Sequence, residues 1–424
     1  MTGHAHEYDK KATRLTLAVL IPAAALTLIG LLLLWPGKIA AEPWTGPPHH
    51  TGDVVTVHQR ACTPDEAAPD VAAQVCGEVT VRLNDGPDAG RIVSTRLPSG
   101  PGAPVVKPGD RVILVYGDSF DDPTGTRYEI IDHERGTQIW LLVLIFALTI
   151  VAFGRWRGVT ALAGLGVTFM VLLAFIVPAI LQGEPPLLVA IVGSAAIMLV
   201  VLYLTHGFST QTSMAVLGTL ASLALTGALA AFTTAALHLT GVADEQASFL
   251  TIQYGDVNML GLLLAGIIIG ALGVLDDVTV TQSYTVAELA RANPAMGFAE
   301  LYRAASRVGR AHITSVINTI VLAYAGASLP LLLLLSAGPG QSNGGWLQML
   351  KSEQLAQEIV RSAVGTIGLI AAVPITTALA ALAVRGRPIG LRFRPPRPRR
   401  RRPDPLESAW GLEPEAVPQG DDPR

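Results

Sequence analysis

Two adjacent carboxylates, Asp276 and Asp277, stand at the end of the apolar run Gly261 to Gln282, GLLLAGIIIGALGVLDDVTVTQ. Ionisable groups at membrane depth are costly unless paired, hydrated or functional, so this pair is a candidate proton- or ion-handling site. On a helix turning about 100° per residue, Gly266, Gly270, Gly273 and Asp277 share one narrow sector, with Asp276 and Val280 beside it. The three glycines leave a stripe where another helix can pack closely. A structural alternative is that both carboxylates lie in cytoplasmic headgroups and simply end the span. Asp277, on the glycine sector, is open to both readings; Asp276 points aside and fits a helix terminator better.

Partners for the pair come from a polar-faced segment further on. His312, Ser315, Thr319, Ala323 and Gly326 share a helical sector, with Asn318 beside them. If that helix packs on the first, His312 and Arg310 reach the aspartates, and an ion pair or proton relay from Asp277 to His312 becomes geometrically accessible. Asp277, Asp276, His312, Asn318, Thr319 and Arg310 are therefore the candidate polar membrane site, and Gly266, Gly270 and Gly273 the candidate packing face. Thr219, Ser222, Thr226, Ala230 and Thr233 form a similar sector, for which ordinary packing of small and hydroxylated residues is the simpler account.

The elements that must position these residues follow from composition. Of 424 residues, 50% are hydrophobic and only 15% charged, and the mean hydropathy is +0.45, far from an ordinary soluble domain. The reading is an α-helical polytopic membrane protein of about eight transmembrane helices with an inserted extracytoplasmic β-rich small-barrel domain. The spans are read at 15–36, 138–154, 158–180, 187–204, 214–237, 257–275, 312–335 and 359–384, so that residues 138–384 make a seven-helix bundle. The first run is long for a signal-peptide core, and an uncleaved helix is the better reading. Residues 1–14, with Lys10, Lys11 and Arg14, are placed in the cytoplasm. Arg155, Arg157, Arg291, Arg303, Arg307, Arg310, Arg385 and Arg387 then fall on the same side, with both termini inside a bacterial cell membrane. Residues 286–310 read as a cytoplasmic amphipathic connector, and 385–424 as a basic disordered tail meeting anionic lipid headgroups.

Residues 42–137 are the sizeable polar region and are placed outside. Short β-rich runs at 54–57, 77–83, 91–94, 111–116 and 128–131 alternate with turn signals such as Asn84-Asp85-Gly86, which suits a small barrel of the oligonucleotide-binding type. Nucleic acid is not expected as a partner, because a basic patch with interleaved aromatics is missing. Cys62 and Cys76 are the chain's two cysteines, both in this region, and on the oxidising side of a membrane they are expected to form a disulfide.

The run Gly270 to Gln282, the Asn293-Pro294 break and the stretch Arg307 to Thr319, RVGRAHITSVINT, together resemble the signature of the YibE/F-like family of bacterial multi-pass membrane proteins. The resemblance extends from about Gly52 to Val384, and it implies a membrane protein with a transport-related role. No P-loop or zinc-protease motif occurs, so neither a nucleotide-driven pump nor an enzyme is expected, and no cofactor or metal. Two functional classes remain. One is a transporter or export accessory moving a proton, ion or small solute; the other is a scaffold whose outer domain binds an envelope protein while the bundle, alone or as a homo-oligomer, positions it in the bilayer.

Overall fold

The computed structural model describes residues 3–37, 47–62, 75–100, 102–117, 128–255, 257–337 and 351–384. The tail at 385–424 lies outside them. The polar region forms one antiparallel sheet of five strands: β1 (His49–Ala61), β2 (Val75–Leu83), β3 (Ile92–Arg96), β4 (Arg111–Tyr116) and β5 (Tyr128–His133), in the order β3-β2-β1-β4-β5. Alternation along the strands sends Val54, Val79, Val81, Val112, Leu114 and Ile130 to one buried face. Gly52 lies beneath that core; a Cβ there would stand 2.5 Å from Val81. Cys62 and Cys76 are bonded as expected and join the ends of β1 and β2.

The expected barrel is not closed. Register shifts between Val54 and Thr56 of β1, and between β4 and β5, where Ile113 pairs Asp132 and Leu114 pairs Ile130, mark bulges of the kind that bend a sheet. The two edge strands meet through a side chain, Thr95 Oγ1 donating to the Tyr128 carbonyl at 2.6 Å, and not through a backbone ladder. Closure needs a continuous hydrogen-bond register around the barrel, and among the described residues these short edges do not form one.

Ten helices are described: α1 (Gly3–Leu33), α2 (Gly136–Gly154), α3 (Trp156–Leu181), α4 (Pro186–His206), α5 (Thr210–Ala236), α6 (Glu245–Gln253), α7 (Met259–Ala292), α8 (Phe298–Ala327), α9 (Leu329–Ala337) and α10 (Glu353–Val384). Six of them, not eight, are long and apolar enough to cross a bilayer: α2, α3, α4, α5, α7 and α10. The first expected span fails on length, because its described apolar stretch, Leu17–Leu33, is short of the roughly 20 residues a crossing needs. The expected 312–335 span is divided. Its first part belongs to α8, which begins at Phe298 and carries Glu300, Arg303, Arg307 and Arg310, and a break at Ser328 separates it from α9.

Helices α5, α7 and α10 pack on one another, with α4 and α8 against this trio, α3 on α4 and α2 on α3. Backbones approach where small residues face hydroxyls: a Cβ on Gly218 would stand 2.2 Å from Thr376 Oγ1, and one on Gly368 1.9 Å from Thr226 Oγ1. In α3 a π turn over Leu172–Ile176 precedes Pro178, whose missing N–H and bulky ring disturb the regular ladder. Loops sort to two ends of the bundle. Gly37 bonds Gln182 at one end, where Thr240 and Gly241 also donate to Glu353. At the other end Ser283 Oγ donates to the Gln211 carbonyl, and Met214, Ala290, Leu301 and Ala381 cluster.

Candidate functional site

Helix α7 does not stop at the acidic pair. It runs on to Ala292, so Asp277 lies roughly 22 Å from the helix end at 1.5 Å per residue. Asp276 therefore terminates nothing. Its Oδ1 accepts from the backbone N–H of Asp277 at 2.8 Å. Asp276 is half-buried and Asp277 exposed. The continuation is strongly held: Thr279 Oγ1 lies 2.6 Å from Thr219 Oγ1 of α5. Gln282 Nε2 donates to the Ala305 carbonyl of α8 at 2.9 Å and to Thr377 Oγ1 of α10 at 2.7 Å.

The glycine sector faces out of the packed trio. Gly266, Gly270 and Gly273 are exposed, and a Cβ at 266 or 273 would meet nothing within 4 Å. At Gly270 the nearest atom would be Tyr324 Oη of α8, at 3.3 Å. The opposite face, with Leu264, Ile268, Leu275 and Val278, is the one that is buried.

Both aspartates line a cavity of about 630 Å³ between α3, α4 and α7. Arg157, Thr160 and Thr168 contribute from α3, Thr205 and His206 from α4, and Val280 and Tyr284 from α7. Thr205 Oγ1 donates to the Val201 carbonyl at 2.7 Å and sits 2.8 Å from His206 Nδ1, fixing the imidazole at the end of α4. His206 is within electrostatic reach of both Arg157 and Asp277. Among the described residues, no hydrogen bond or ion pair reaches the carboxylate of Asp277 or the guanidinium of Arg157. Opposite charges thus line one cavity without touching.

A second groove, of about 760 Å³, shares His206, Val280 and Tyr284 with the first and continues past Thr285 and Glu288 to Ala292. In the other direction lies an apolar cluster containing Phe175, Ile176, Met198 and Leu272, all buried.

The expected relay to α8 is not formed. His312 is half-buried and its Nε2 is without a hydrogen-bond partner among the described residues. Arg310, Asn318 and Thr319 are exposed, and Thr319 Oγ1 bonds its own helix at Ser315. The reason is the side of α7 that α8 meets: Ile313 packs with Leu275 and Val278, on the buried face. The residues that do share the cavity, Arg157, His206 and Tyr284, went unrecognised because the first two stand in span-end turns. The available signal was an ionisable residue within one turn of a span end on two helices next to each other. Residues Thr219, Ser222, Thr226 and Ala230 are buried in helix contacts. Among the described residues no group of three or more His, Cys, Asp or Glu is placed to hold a metal ion.

A bundle of long apolar helices with a pair of carboxylates on a half-open cavity, and a sheet domain before it, defines a polytopic membrane protein. The chain belongs to the YibE/F-like family, whose family model, YibE/F-like protein, matches residues 142–386. That stretch runs from within α2 to the end of α10; α1 and the sheet lie outside it, so the match does not reach back to Gly52 as expected. Comparison with curated proteins and with solved structures gives no match.

Proposed function

We propose that this multi-pass bacterial membrane protein moves a proton or another small ion, with Asp277 as the group that takes up and releases the charge. The observation that carries the reading is the setting of the acidic pair: part-way along a 34-residue helix, on a cavity shared with Arg157 and His206, and, among the described residues, without a hydrogen-bond or ion-pair partner for the Asp277 carboxylate. Asp277 is exposed to that cavity beside the half-buried Asp276, and a carboxylate among apolar helices is stable where water or an ion reaches it. Groove and cavity together lead from the pair to the end of α7 that carries Arg291, with Arg155 and Arg157 at the same end. We assign that end to the cytoplasm by the excess of arginine there, and residues 42–137 to the outer side. Asp276, tied to the Asp277 N–H, shapes the site; His206 and Arg157 line the same cavity.

The test is reconstitution of the full chain in vesicles loaded with a pH-sensitive dye, with a pH step applied across the membrane. Wild type is expected to dissipate the step, Asp277→Asn to lose at least about tenfold of the rate with its helix content intact, and Asp276→Asn to lose less. Equal rates for wild type and Asp277→Asn would overturn the reading. That result would favour a scaffold whose outer sheet engages an envelope partner.

A further inference from the structure

We propose that the space between α1, α4 and the start of α5 is a binding site for one phospholipid with an anionic headgroup. Helix α1 and the residues after it pack on the bundle at Leu20 and Leu34, both buried. A Cβ on Gly30 would stand 2.7 Å from Val192, the rings of Trp35 and Phe175 lie 5.9 Å apart, and Gly37 exchanges hydrogen bonds with Gln182 in both directions. Around Leu20, the residues Leu17, Ile21 and Ala24 of α1 border, with α4 and the start of α5, an open cavity of about 1120 Å³, more than a drug-sized ligand fills.

The lining is sorted by polarity. Leu17, Ile21 and Ala24 from α1 face Leu199, Val200 and Leu204 from α4, an aliphatic slot at bilayer depth. Leu17, Ile21, Val200 and Leu204 are all exposed, so the slot lies open to surrounding lipid. At the end next to the α4–α5 turn the lining changes to Ser209, Gln211, Ser213 and Arg291. Arg291 spends Nη1 on Glu288, one turn back on its own helix, out of five N–H donors in a planar fork that matches phosphate. The first turn of α5, capped by Ser209 Oγ at Thr212 N, adds the positive end of a 27-residue helix dipole. An aliphatic slot ending in a cation and a helix N-terminus is complementary to an amphiphile whose head is an anion. A free phosphate would leave the slot unfilled, and a zwitterionic headgroup would bring its own cation to Arg291.

The site is independent of the acidic pair, and so is its test. The purified full chain in a neutral detergent is titrated with dioleoyl phosphatidylglycerol or dioleoyl phosphatidylcholine, and bound lipid is counted by native mass spectrometry. One phosphatidylglycerol per chain is expected to be held about tenfold more tightly than phosphatidylcholine, a single arginine contact to an anionic headgroup at low dielectric. Arg291→Gln should remove that preference and Arg291→Lys should keep part of it. Ala24→Trp, which fills the slot, should weaken both lipids; Leu199→Trp does the same from the opposite wall if that variant fails to fold. The arginine-rich tail is common to all variants and cancels in the comparison. Equal affinity for the two lipids would overturn the proposal. So would an unchanged preference in Arg291→Gln, unchanged binding in a folded slot-filling variant, or a second copy of the chain retained in place of lipid.

Discussion

Gln282 joins three helices, and replacing it measures what the join contributes. It is 3% exposed, and its amide donates to α8 at Ala305 O and to α10 at Thr377 Oγ1. Gln282→Leu keeps most of the volume and removes both bonds. It leaves no donor stranded: the Thr377 hydroxyl still donates to the Val373 carbonyl at 2.6 Å, and Ala305 O remains a helix acceptor. Interhelical hydrogen bonds in membranes average about 0.6 kcal/mol each, with a maximum near 1.7, so the expected loss is about 1.2 kcal/mol and at most about 3.4. Reversible unfolding in mixed micelles of rising dodecyl sulfate content, followed by far-ultraviolet circular dichroism, reads that loss. A double-mutant cycle with Thr377→Val isolates one bond and should give a coupling of about 0.6 kcal/mol. Unchanged stability in Gln282→Leu, or a coupling of zero, would show that the polar contact is incidental to packing.

Three further outcomes are expected. The disulfide closes a loop with a sequence separation of 14, for which loop-closure entropy gives about 3 kcal/mol, so Cys62→Ser with Cys76→Ser should speed amide exchange in β1 and β2; unchanged exchange would contradict this. The sheet should lose protection in acid. A hydrogen bond from Arg111 holds the Asp53 carboxyl below its ordinary range, while at Asp85 burial pulls upward and is outweighed by hydrogen bonds from Thr51 and His50. Depressed folded values mean that this stability is complete above the unfolded aspartate value of about 3.9 and is lost as pH falls through the folded ones. Exchange measured down the pH scale should therefore show a loss below about pH 4 that Asp53→Asn with Asp85→Asn flattens, and an identical acid profile would refute it. Gly368→Ala would press a Cβ to 1.9 Å from Thr226 Oγ1, itself bonded to the Ser222 carbonyl at 2.8 Å, and should cost about 1–3 kcal/mol in the same micelle assay; a neutral result would mean that α5 and α10 separate freely.

Much of the fold was legible because its signals are local. Period-two alternation in Val79, Val81 and Leu83 and the turn at Asn84-Asp85-Gly86 mark strands without any tertiary knowledge; four of the five expected runs lie within strands and the fifth, 91–94, starts one residue before β3. Barrel closure was not legible, because it depends on whether β3 and β5 meet in register, and neither strand's own sequence records the other. Span counting failed at two places for a related reason. An apolar run shows where a helix is oily, but not that His312 to Ala327 continues a charged helix begun at Phe298, or that Ser328 ends it.

The candidate site shows where helical periodicity stops being informative. Spacing correctly groups Gly266, Gly270, Gly273 and Asp277 on one face of α7, yet it does not say which way that face turns. The close approaches occur where a glycine on one helix receives a hydroxyl from the next, at Gly218 with Thr376 and Gly368 with Thr226, so α5 and α10 supply the small surfaces. Helix α7 then fills the remaining volume with its bulky side, Ile268, Leu275 and Val278, because dispersion contacts reward close-packed bulk over empty stripes. The glycine sector is left outward, and Asp277 with it. A packing face would have given Asp277 a neighbouring helix as partner; an open face gives it a cavity, with Arg157 and His206 on the far wall. A carboxylate so placed is stable only to the extent that solvent or an ion reaches it, and the same rotation of α7 that undoes the expected contact with His312 leaves Asp277 facing that cavity and not a neighbouring helix.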